Sequence, residues 1–139
     1  MGLDMGLIHA NREELEGWNN LLPSEQRVTE SPWKEVGTWR KANQIRKWFI
    51  DGHDCNPQEE CGFEVTKEEL ELLKDTCERV LDNHDLAEEL LPTSTGFFFG
   101  SQEYNEWYYA DLADTIAICA FALNFIDWEK EVVEYWEWW

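Results

Sequence analysis

Basic residues are scarce in this sequence, and their scarcity limits what the protein can bind. The 139 residues include eleven Lys and Arg but thirty Asp and Glu, which gives a formal net charge of −19 at pH 7. Affinity for nucleic acids rests on Lys and Arg that neutralise phosphates and release counterions. Anionic lipid surfaces likewise repel an anionic protein. The composition therefore argues against direct binding to DNA, RNA or a membrane surface.

A long apolar run, a secretory leader and a disulfide framework are also missing. The most apolar run, residues 115–126, falls short of the roughly 18 residues that a membrane-spanning helix requires. The N-terminus has no basic segment and carries Asp4 within its apolar part, which is not typical of a signal peptide. Among the cysteines, Cys77 and Cys119 are expected to be reduced and to pack as small apolar side chains. These features predict a cytoplasmic protein.

The signatures of common catalytic and metal sites are weak or absent. No Gly-x-Ser-x-Gly segment indicates a nucleophilic Ser, and no P-loop could cradle a phosphate. His53, Cys55 and Cys61, with Asp54 or His84 as a fourth ligand, suggest zinc only weakly, because five residues separate the two cysteines and structural zinc ligands usually pair more closely. We therefore predict no catalytic residue, no cofactor and no metal.

Apolar and aromatic residues are plentiful, so the charge excess does not prevent a packed core. Hydrophobic residues make up 43% of the chain, and nine residues are Trp. A chain of this length fits one domain of common size. We expect a single α+β domain over residues 1–139, mostly helical, with three main helices and a few short strands. Residues 11–33 are predicted to be loop-rich after a short helix at residues 12–18. Residues 127–139 form an acidic aromatic tail, expected as further helix or as exposed peptide.

Apolar spacing predicts the first main helix from about residue 35. Apolar residues recur there at three- and four-residue intervals, which is typical of one buried helical face: Val36, Trp39, Ala42, Ile45 and Phe49. The segment also holds a basic cluster that contrasts with the acidic remainder of the chain: Lys34, Arg40, Lys41, Arg46 and Lys47. The charge is therefore expected to be segregated rather than uniform.

Two further helices have clear signals. Thr66 and Glu69 form a reciprocal capping pattern before the second helix, which ends near Asn83 and buries Leu70, Leu73, Cys77, Val80 and Leu81. Ser101 is predicted to cap the third helix, whose apolar stripe consists of Tyr104, Tyr108, Leu112, Ile116, Cys119, Leu123 and Ile126. A brief helix is expected over residues 84–91. Short strands are expected before His9, at residues 63–65 and at residues 97–99.

The acidic residues supply the first functional hypothesis. Carboxylates in rows on a rigid frame can imitate the phosphates of a nucleic acid and occupy a basic groove on another protein. The partner-binding acids are expected on the second helix and in the tail: Glu68, Glu71, Asp75, Glu78, Asp82, Glu129, Glu131, Glu134 and Glu137. Apolar contacts would come from the aromatic residues of the tail: Trp128, Trp136, Trp138 and Trp139. The alternative interpretation is a solvated acidic surface.

The second hypothesis is a small-ligand site built from the basic segment and the aromatic residues near the third helix. Arg and Lys beside Trp and Tyr can hold an anionic, stackable ligand such as a nucleotide. The pocket would consist of Trp39, Arg40, Lys41, Asn43, Ser101, Tyr104, Trp107 and Tyr108. In such a pocket Arg40 and Tyr104 would face one another. The alternative is that the basic side chains offset neighbouring acids and that the aromatic side chains fill the core.

Several segments resemble a family of small phage and prophage proteins. They are Met1–Met5, Trp39–Ile45 with Trp48–Phe49, Ala87–Thr93, and Gly96–Ser101 with Tyr104 and Glu106–Tyr108. The chain departs from the family pattern at Thr38, where an aromatic residue is usual, and at Arg46, where a His is usual. The resemblance does not extend beyond Asn124. Because the family has no assigned activity, the resemblance implies a phage context and little chemistry.

Charge, size and resemblance together lead to one expectation. The protein is expected to be a phage-encoded accessory protein of the host cytoplasm that is not an enzyme. It would bind and inhibit a host protein with a basic surface, such as a defence nuclease, as anti-CRISPR and anti-restriction proteins do. A nucleotide-binding or catalytic domain is the alternative, and a structural or assembly protein is the third hypothesis. The tail, which the resemblance does not cover, is the expected site of a specialised contact.

Overall fold

The computed structural model describes residues 2–95 and 100–139 and has an α+β fold. Its elements in chain order are β1 (Asp4–Asn11), α1 (Arg12–Asn19), α2 (Pro23–Gln26), β2 (Lys34–Arg40), α3 (Asn43–Asp51), β3 (Gly62–Val65), α4 (Lys67–Asp82), a 3-10 turn (His84–Leu86), α5 (Ala87–Leu90), α6 (Glu106–Phe125) and β4 (Glu131–Trp138). The strands form one antiparallel sheet in the order β2-β1-β4-β3.

Residue alternation along β1 and β4 assigns one face of the sheet to the core. Leu7 pairs with Tyr135 and Met5 pairs with Glu137, and all four side chains are buried. Because successive side chains of a strand point to opposite faces, the intervening residues lie on the other face, which we call the outer face. It carries residues 4, 6 and 8 of β1 and residues 134, 136 and 138 of β4.

The helices cover the core face of the sheet. Phe49 of α3 packs on Tyr135 of β4 with ring centroids 4.7 Å apart. Helix α6 lies close to β2, since a Cβ atom added at Gly37 would be 2.6 Å from the Cγ1 atom of Ile118. Helices α4 and α6 pack against each other and run in opposite directions. The ring of His84, just after α4, accordingly stacks on Tyr109, near the start of α6, at 3.7 Å.

The predicted helix from residue 35 is wrong over its first half. Residues 34–40 form strand β2, and helix α3 begins only at Asn43. Between them Lys41 has a φ of 58°, in the left-handed region, which cannot continue a right-handed helix. The apolar spacing was misleading because β2 and α3 both contact the core. With a turn between them, the core residues of the strand and those of the helix happen to fall at the spacing of a single helix. The basic residues of this segment therefore do not share one helix.

The C-terminal tail is neither a helix nor an exposed peptide. Residues 131–138 form β4, which lies between β1 and β3 in the sheet. Its three acids, Glu131, Glu134 and Glu137, recur every third residue, so they point to both faces of the strand. The position within the sheet is set by pairing with β1 and β3, which are both far from β4 in the chain, and no local pattern reveals it.

Two further expectations are corrected. The described residues form six α-helices rather than three main ones, although α2 and α5 are each only four residues long. The cap of α6 is Asn105 and not Ser101. The side chain of Asn105 accepts hydrogen bonds from the backbone N–H groups of Trp107 and Tyr108, at 3.1 and 3.2 Å. The strand expected at residues 97–99 lies outside the described residues.

The second predicted helix is confirmed in detail. Thr66 and Glu69 form both hydrogen bonds of the capping box at the start of α4, and Asn83 follows its last residue. Four of the five predicted core residues are fully buried: Leu70, Leu73, Cys77 and Val80. The short helix after residue 11, the strand β1 and the strand β3 also lie where the sequence predicts them.

Candidate functional site

Five of the predicted partner-binding acids form one row along α4. They recur at intervals of three and four residues, so they share one helical face, and all of them are exposed: Glu68, Glu71, Asp75, Glu78 and Asp82. At 1.5 Å of rise per residue, the row extends over about 21 Å. We call this set the α4 acidic row. Capping by Thr66 and packing of the opposite face on the core hold the row on a rigid frame.

Basic residues offset the α4 acidic row only in part. Lys74 lies 2.5 Å from the Oε1 atom of Glu78, and this hydrogen bond raises the pKa of Lys74. The other four acids of the row form no ion pair within residues 2–95 and 100–139: Glu68, Glu71, Asp75 and Asp82. Their charges are therefore directed to solvent and are available to a partner.

The acids of the tail do not extend this row. Glu129 is exposed in the turn before β4. Glu131 bonds to His9, with 2.6 Å between its Oε1 atom and Nδ1. Glu134 lies on the outer face opposite Glu64, and burial together with that neighbouring carboxylate raises the pKa of Glu134. These side chains belong to separate environments, so they do not form an ordered acidic array.

Glu137 is a core residue rather than a partner-binding acid. Arg46 donates to both of its carboxylate oxygens, from Nε at 2.9 Å and from a terminal nitrogen at 3.0 Å. Tyr135 and Trp139 donate further hydrogen bonds to it, at 2.7 and 2.9 Å, as does the backbone N–H of Cys61. Burial acts to raise the pKa of Glu137, but these donors outweigh it and hold the pKa below its usual value.

The Arg46 side chain also connects separate parts of the fold. Its guanidinium donates to the backbone carbonyl of Pro57 at 3.0 Å and lies over the ring of Trp139. It thereby joins α3, the loop before β3 and the end of β4. The sequence suggested that Arg46 was part of a basic surface, but only 4% of this residue is exposed. The guanidinium of Arg46 is therefore part of the core.

The tryptophans of the tail have three different roles. Trp128 donates from Nε1 to the carbonyl of Ala122 at 3.2 Å, which fastens the chain after α6. Trp139 binds Glu137, as described above. Trp136 covers Gly6 on the outer face, and Trp138 is 67% exposed beside it. Trp136 and Trp138 therefore lie together on the outer face of the sheet.

A shallow groove on the outer face brings Arg40 together with these two tryptophans. The groove has a volume of about 470 Å³, and Thr38, Asp4 and Arg40 line it along with Trp136 and Trp138. The Arg40 guanidinium is largely exposed and lies 3.9 Å from the carboxylate of Asp4. The groove thus combines exposed aromatic rings with a cation that is only loosely paired.

The residues of the predicted ligand pocket are divided between two environments. Arg40 lies in the outer-face groove, whereas Asn43, Ser101 and Tyr104 lie at the loop before α6. There the Asn43 side chain donates to the carbonyl of Ser101 at 2.9 Å and accepts from the N–H of Ser94 at 3.0 Å. The hydroxyl of Tyr104 accepts from the N–H of Thr93 at 3.2 Å. These contacts anchor the loop on α3.

The remaining residues of that predicted pocket lie either in the core or on the surface. Trp39 is buried, with Nε1 donating to Thr115 at 2.8 Å, and Tyr108 is buried, with its hydroxyl donating to the carbonyl of Leu91 at 2.7 Å. Lys41 is exposed at the turn before α3, and Trp107 is 71% exposed on α6. The aromatic residues of the set therefore act mainly as core.

Two His–Glu pairs have the geometry that acid–base chemistry would need. His9 and Glu131 border a hollow of about 200 Å³ with Lys34 and Glu14, and no Ser, Thr or Cys lines it. The Nε2 atom of His53 lies 2.7 Å from the Oε2 atom of Glu69, and the His53 ring stacks on Phe63, which packs against the core. Among the described residues, no nucleophile lines the hollow beside His9 and Glu131, so this pair does not form the arrangement of a hydrolytic triad.

The suggested metal ligands are held by other contacts. The thiol of Cys61 is buried and bonds to the carbonyl of Asn56, and burial followed by the neighbouring Cys55 raises its pKa to about 12. A thiol with so high a pKa is a poor metal ligand at neutral pH. Within the described ranges, no group of three His, Cys, Asp or Glu side chains is placed to hold a metal ion.

Helix α6 has a feature that the sequence analysis missed. Apolar residues occur on all of its sides, yet only one side is buried, and three of its aromatic side chains are exposed: Trp107 at 71%, Phe121 at 42% and Phe125 at 74%. The absence of a polar face in its sequence was the available signal. In the part of the chain that the structure describes, no helix combines the length and apolar character needed to cross a bilayer.

Comparisons with protein-family models, with curated proteins and with solved structures found no match to this chain. The two surfaces with the clearest chemical character are the α4 acidic row and the exposed side of α6.

Proposed function

We propose that this protein binds a basic surface of another protein through the α4 acidic row and blocks the ligand that this surface normally holds. The observation that carries the proposal is the row itself: five exposed carboxylates on one face of a capped, core-packed helix. The proposed partner is a nucleic-acid-binding protein. In its most specific form the proposal describes a phage-encoded inhibitor of a host defence nuclease.

The spacing of the row suits a surface that binds phosphates. The five carboxylates are distributed over about 21 Å of helix, or roughly one per 5 Å. A DNA strand carries one phosphate per about 3.4 Å of axis, so the row presents a comparable line of negative charge. The helix frame keeps the carboxylates in place, and this lowers the entropic cost of pairing them with Lys and Arg.

The energetics favour several weak contacts over one strong contact. An exposed ion pair contributes about 0.2–1 kcal/mol, so the five acids of the row together supply a few kcal/mol at most. The net charge of −19 adds long-range attraction that increases the rate of association with a basic partner. Binding of this kind weakens as the salt concentration rises.

The experiment compares two variants of equal charge in cleavage assays with purified DNA-cutting defence nucleases, both restriction enzymes and CRISPR effectors. The row variant carries Glu68→Gln, Glu71→Gln, Asp75→Asn, Glu78→Gln and Asp82→Asn. The control variant neutralises five exposed acids elsewhere: Glu13, Glu14, Glu16, Glu30 and Glu35, each to Gln. Each variant has a net charge of −14, because five of the nineteen excess charges are removed from both.

We expect the wild-type protein to protect DNA from at least one nuclease and the control variant to retain most of that protection. The row variant should lose it by about tenfold or more, as expected for several pairs of this strength. Equal loss in both variants would show that net charge, and not the row, is responsible. Full cleavage by every nuclease in the presence of the wild-type protein would refute the inhibitor proposal.

The outer-face groove supports a second candidate function, a small-ligand domain for an anionic aromatic molecule such as a nucleotide. Arg40 could contact the anionic group, and Trp136 and Trp138 could stack on the ring. A thermal-shift screen with nucleotides tests it, because a bound ligand stabilises the folded state by mass action. A rise in melting temperature that Arg40→Gln abolishes would support this function, and an unchanged melting temperature across the screen would reject it.

A further inference from the structure

Apolar residues lie on every side of helix α6, although the rest of the protein buries only one of those sides. A helix that is apolar all round is normally buried all round, since a solvent-facing side is usually polar. The buried side of α6 packs on the core through Tyr108, Leu112 and Cys119. The opposite side exposes the aromatic residues described above together with three alanines, and Glu106, Asp114 and Asn124 are the polar residues exposed with them. A large exposed apolar patch typically indicates an interaction site.

The exposed side of α6 borders the α4 acidic row. Helices α4 and α6 are in contact along their lengths, and the ring of His84, just after α4, stacks on Tyr109 of α6 at 3.7 Å. The acidic row and the exposed side of α6 both face away from the core. The two helices therefore present one outer layer that is acidic over α4 and apolar over α6.

The charges on α6 decide what kind of molecule fits this layer. The helix contains Glu106, Asp111 and Asp114 and no basic residue, and Asp114 is exposed within the apolar side. A second copy of this chain would bring like charges together on both helices. A partner with Lys or Arg beside its apolar side chains would instead pair with Asp114 and with the row.

We infer that the outer layer of α4 and α6 binds one amphipathic, Lys- and Arg-rich helix of the partner protein, apolar side on α6 and basic side on the α4 acidic row. This inference rests on the proposed function and specifies the element of the partner that is recognised. Trp107 and Phe121 would be the anchors, since exposed aromatic side chains that become buried dominate the energetics of most interfaces. The acids of the row would set orientation and salt dependence.

The probe for this inference is a fluorescent synthetic peptide of about 18 residues, or five helical turns. It carries Leu at helical spacing on one side and Lys on the other, and its binding is measured by fluorescence anisotropy. A peptide of the same composition with scrambled order serves as a control for charge alone, because it has no apolar side.

Three variants of the full chain are compared with the wild type. The anchor variant carries Trp107→Ser and Phe121→Ser. Its matched control carries Val28→Ser and Leu22→Ser, two apolar side chains that are 87% and 63% exposed away from α6. The row variant is the one described above. Because all the substituted anchor and control side chains are exposed, circular dichroism should show the wild-type fold in each variant.

We expect the wild type to bind the amphipathic peptide about tenfold more tightly than the scrambled peptide, as apolar anchoring requires. The anchor variant should lose this preference, and the row variant should bind more weakly with a smaller salt dependence. The inference is overturned if the anchor variant binds like its control, if the scrambled peptide binds equally well, or if light scattering shows a dimer that the anchor variant disrupts. The nuclease assay judges the proposed function separately, because neither of the two variants that it compares changes a residue of α6.

Discussion

Arg46 of α3 and Glu137 of β4 form a buried, two-point ion pair, with N–O distances of 2.9 and 3.0 Å. The two residues are 91 positions apart in the chain. Both residues are buried: Arg46 is 4% exposed and Glu137 is 7% exposed. Each carboxylate oxygen of Glu137 receives at least two hydrogen bonds, so the pair is fully compensated within the core. Glu137, which the sequence predicted as a partner-binding acid, is therefore part of the core.

Replacing Glu137 by Gln should destabilise the protein by about 3–5 kcal/mol, because it leaves the buried guanidinium of Arg46 without its counter-charge. Chemical denaturation at pH 7 measures the loss. Glu134→Gln on the outer face of the same strand is the control, and it should change the stability by no more than about 0.5 kcal/mol. Similar losses in the two variants would contradict the structural role of Glu137.

The carboxyl of Asp111 should make the protein less stable as the pH rises. Burial and then Asp114 raise its pKa to about 6, although a hydrogen bond from Gln44 opposes the shift. The folded state therefore binds the proton more tightly than the unfolded state, and this contribution to stability is lost between about pH 4 and pH 6. Asp111→Asn should remove that pH dependence and increase the stability at pH 7 by about 1 kcal/mol, allowing for its partial exposure.

Denaturation curves at pH 4.5 and pH 7.5 test this expectation. The exposed loop residue Asp54 supplies a control through Asp54→Asn, which should leave the difference between the two pH values unchanged. If Asp111→Asn shows the same pH dependence as the wild type, the carboxyl is ionised without cost in the folded state.

Gly6 should not tolerate a side chain. A Cβ atom there would lie 2.8 Å from the carbonyl oxygen of Gly37 and 2.8 Å from the indole nitrogen of Trp136. The backbone oxygen cannot move without disturbing the pairing of β1 and β2, so Gly6→Ala should cost about 1–3 kcal/mol. Gly17 in α1 has no atom within 4 Å of the same position. Gly17→Ala should therefore stabilise the protein by about 0.5–1 kcal/mol. Melting temperatures of the two variants give the comparison.

Asn105, and not Ser101, should account for the capping energy of α6. Asn105→Ala removes the acceptor of two backbone N–H groups and should cost about 1 kcal/mol. Ser101→Ala removes one exposed hydrogen bond to the N–H of Glu103 and should cost less than about 0.5 kcal/mol. Equilibrium unfolding of both variants distinguishes them, and a larger loss at Ser101 would contradict the capping assignment.

Local patterns account for the parts of the structure that were predicted well. The capping box of Thr66 and Glu69 and the apolar stripe of α4 both involve residues three or four positions apart. The same spacing places the acids of the α4 acidic row on the opposite face. The α+β fold class could also be predicted, since both helical and strand signals were present.

Patterns that depend on distant residues account for the errors. Trp39 lies in a strand because β2 pairs with β1, although its spacing from Ala42 and Ile45 fits a helix. The tail lies within the sheet because β4 pairs with β1 and β3. The role of Arg46 could not be inferred, because its partner is 91 positions away.

The sequence by itself determined the acidity of this protein, the position of α4 and the row of carboxylates along it, because charge, capping and helical periodicity are local properties. Only the tertiary structure decided that Glu137 lies in the core and that one side of α6 faces solvent. The physical reason is the same in both cases. Whether a side chain is buried depends on which distant element packs against it, and neither residue type nor spacing carries that information.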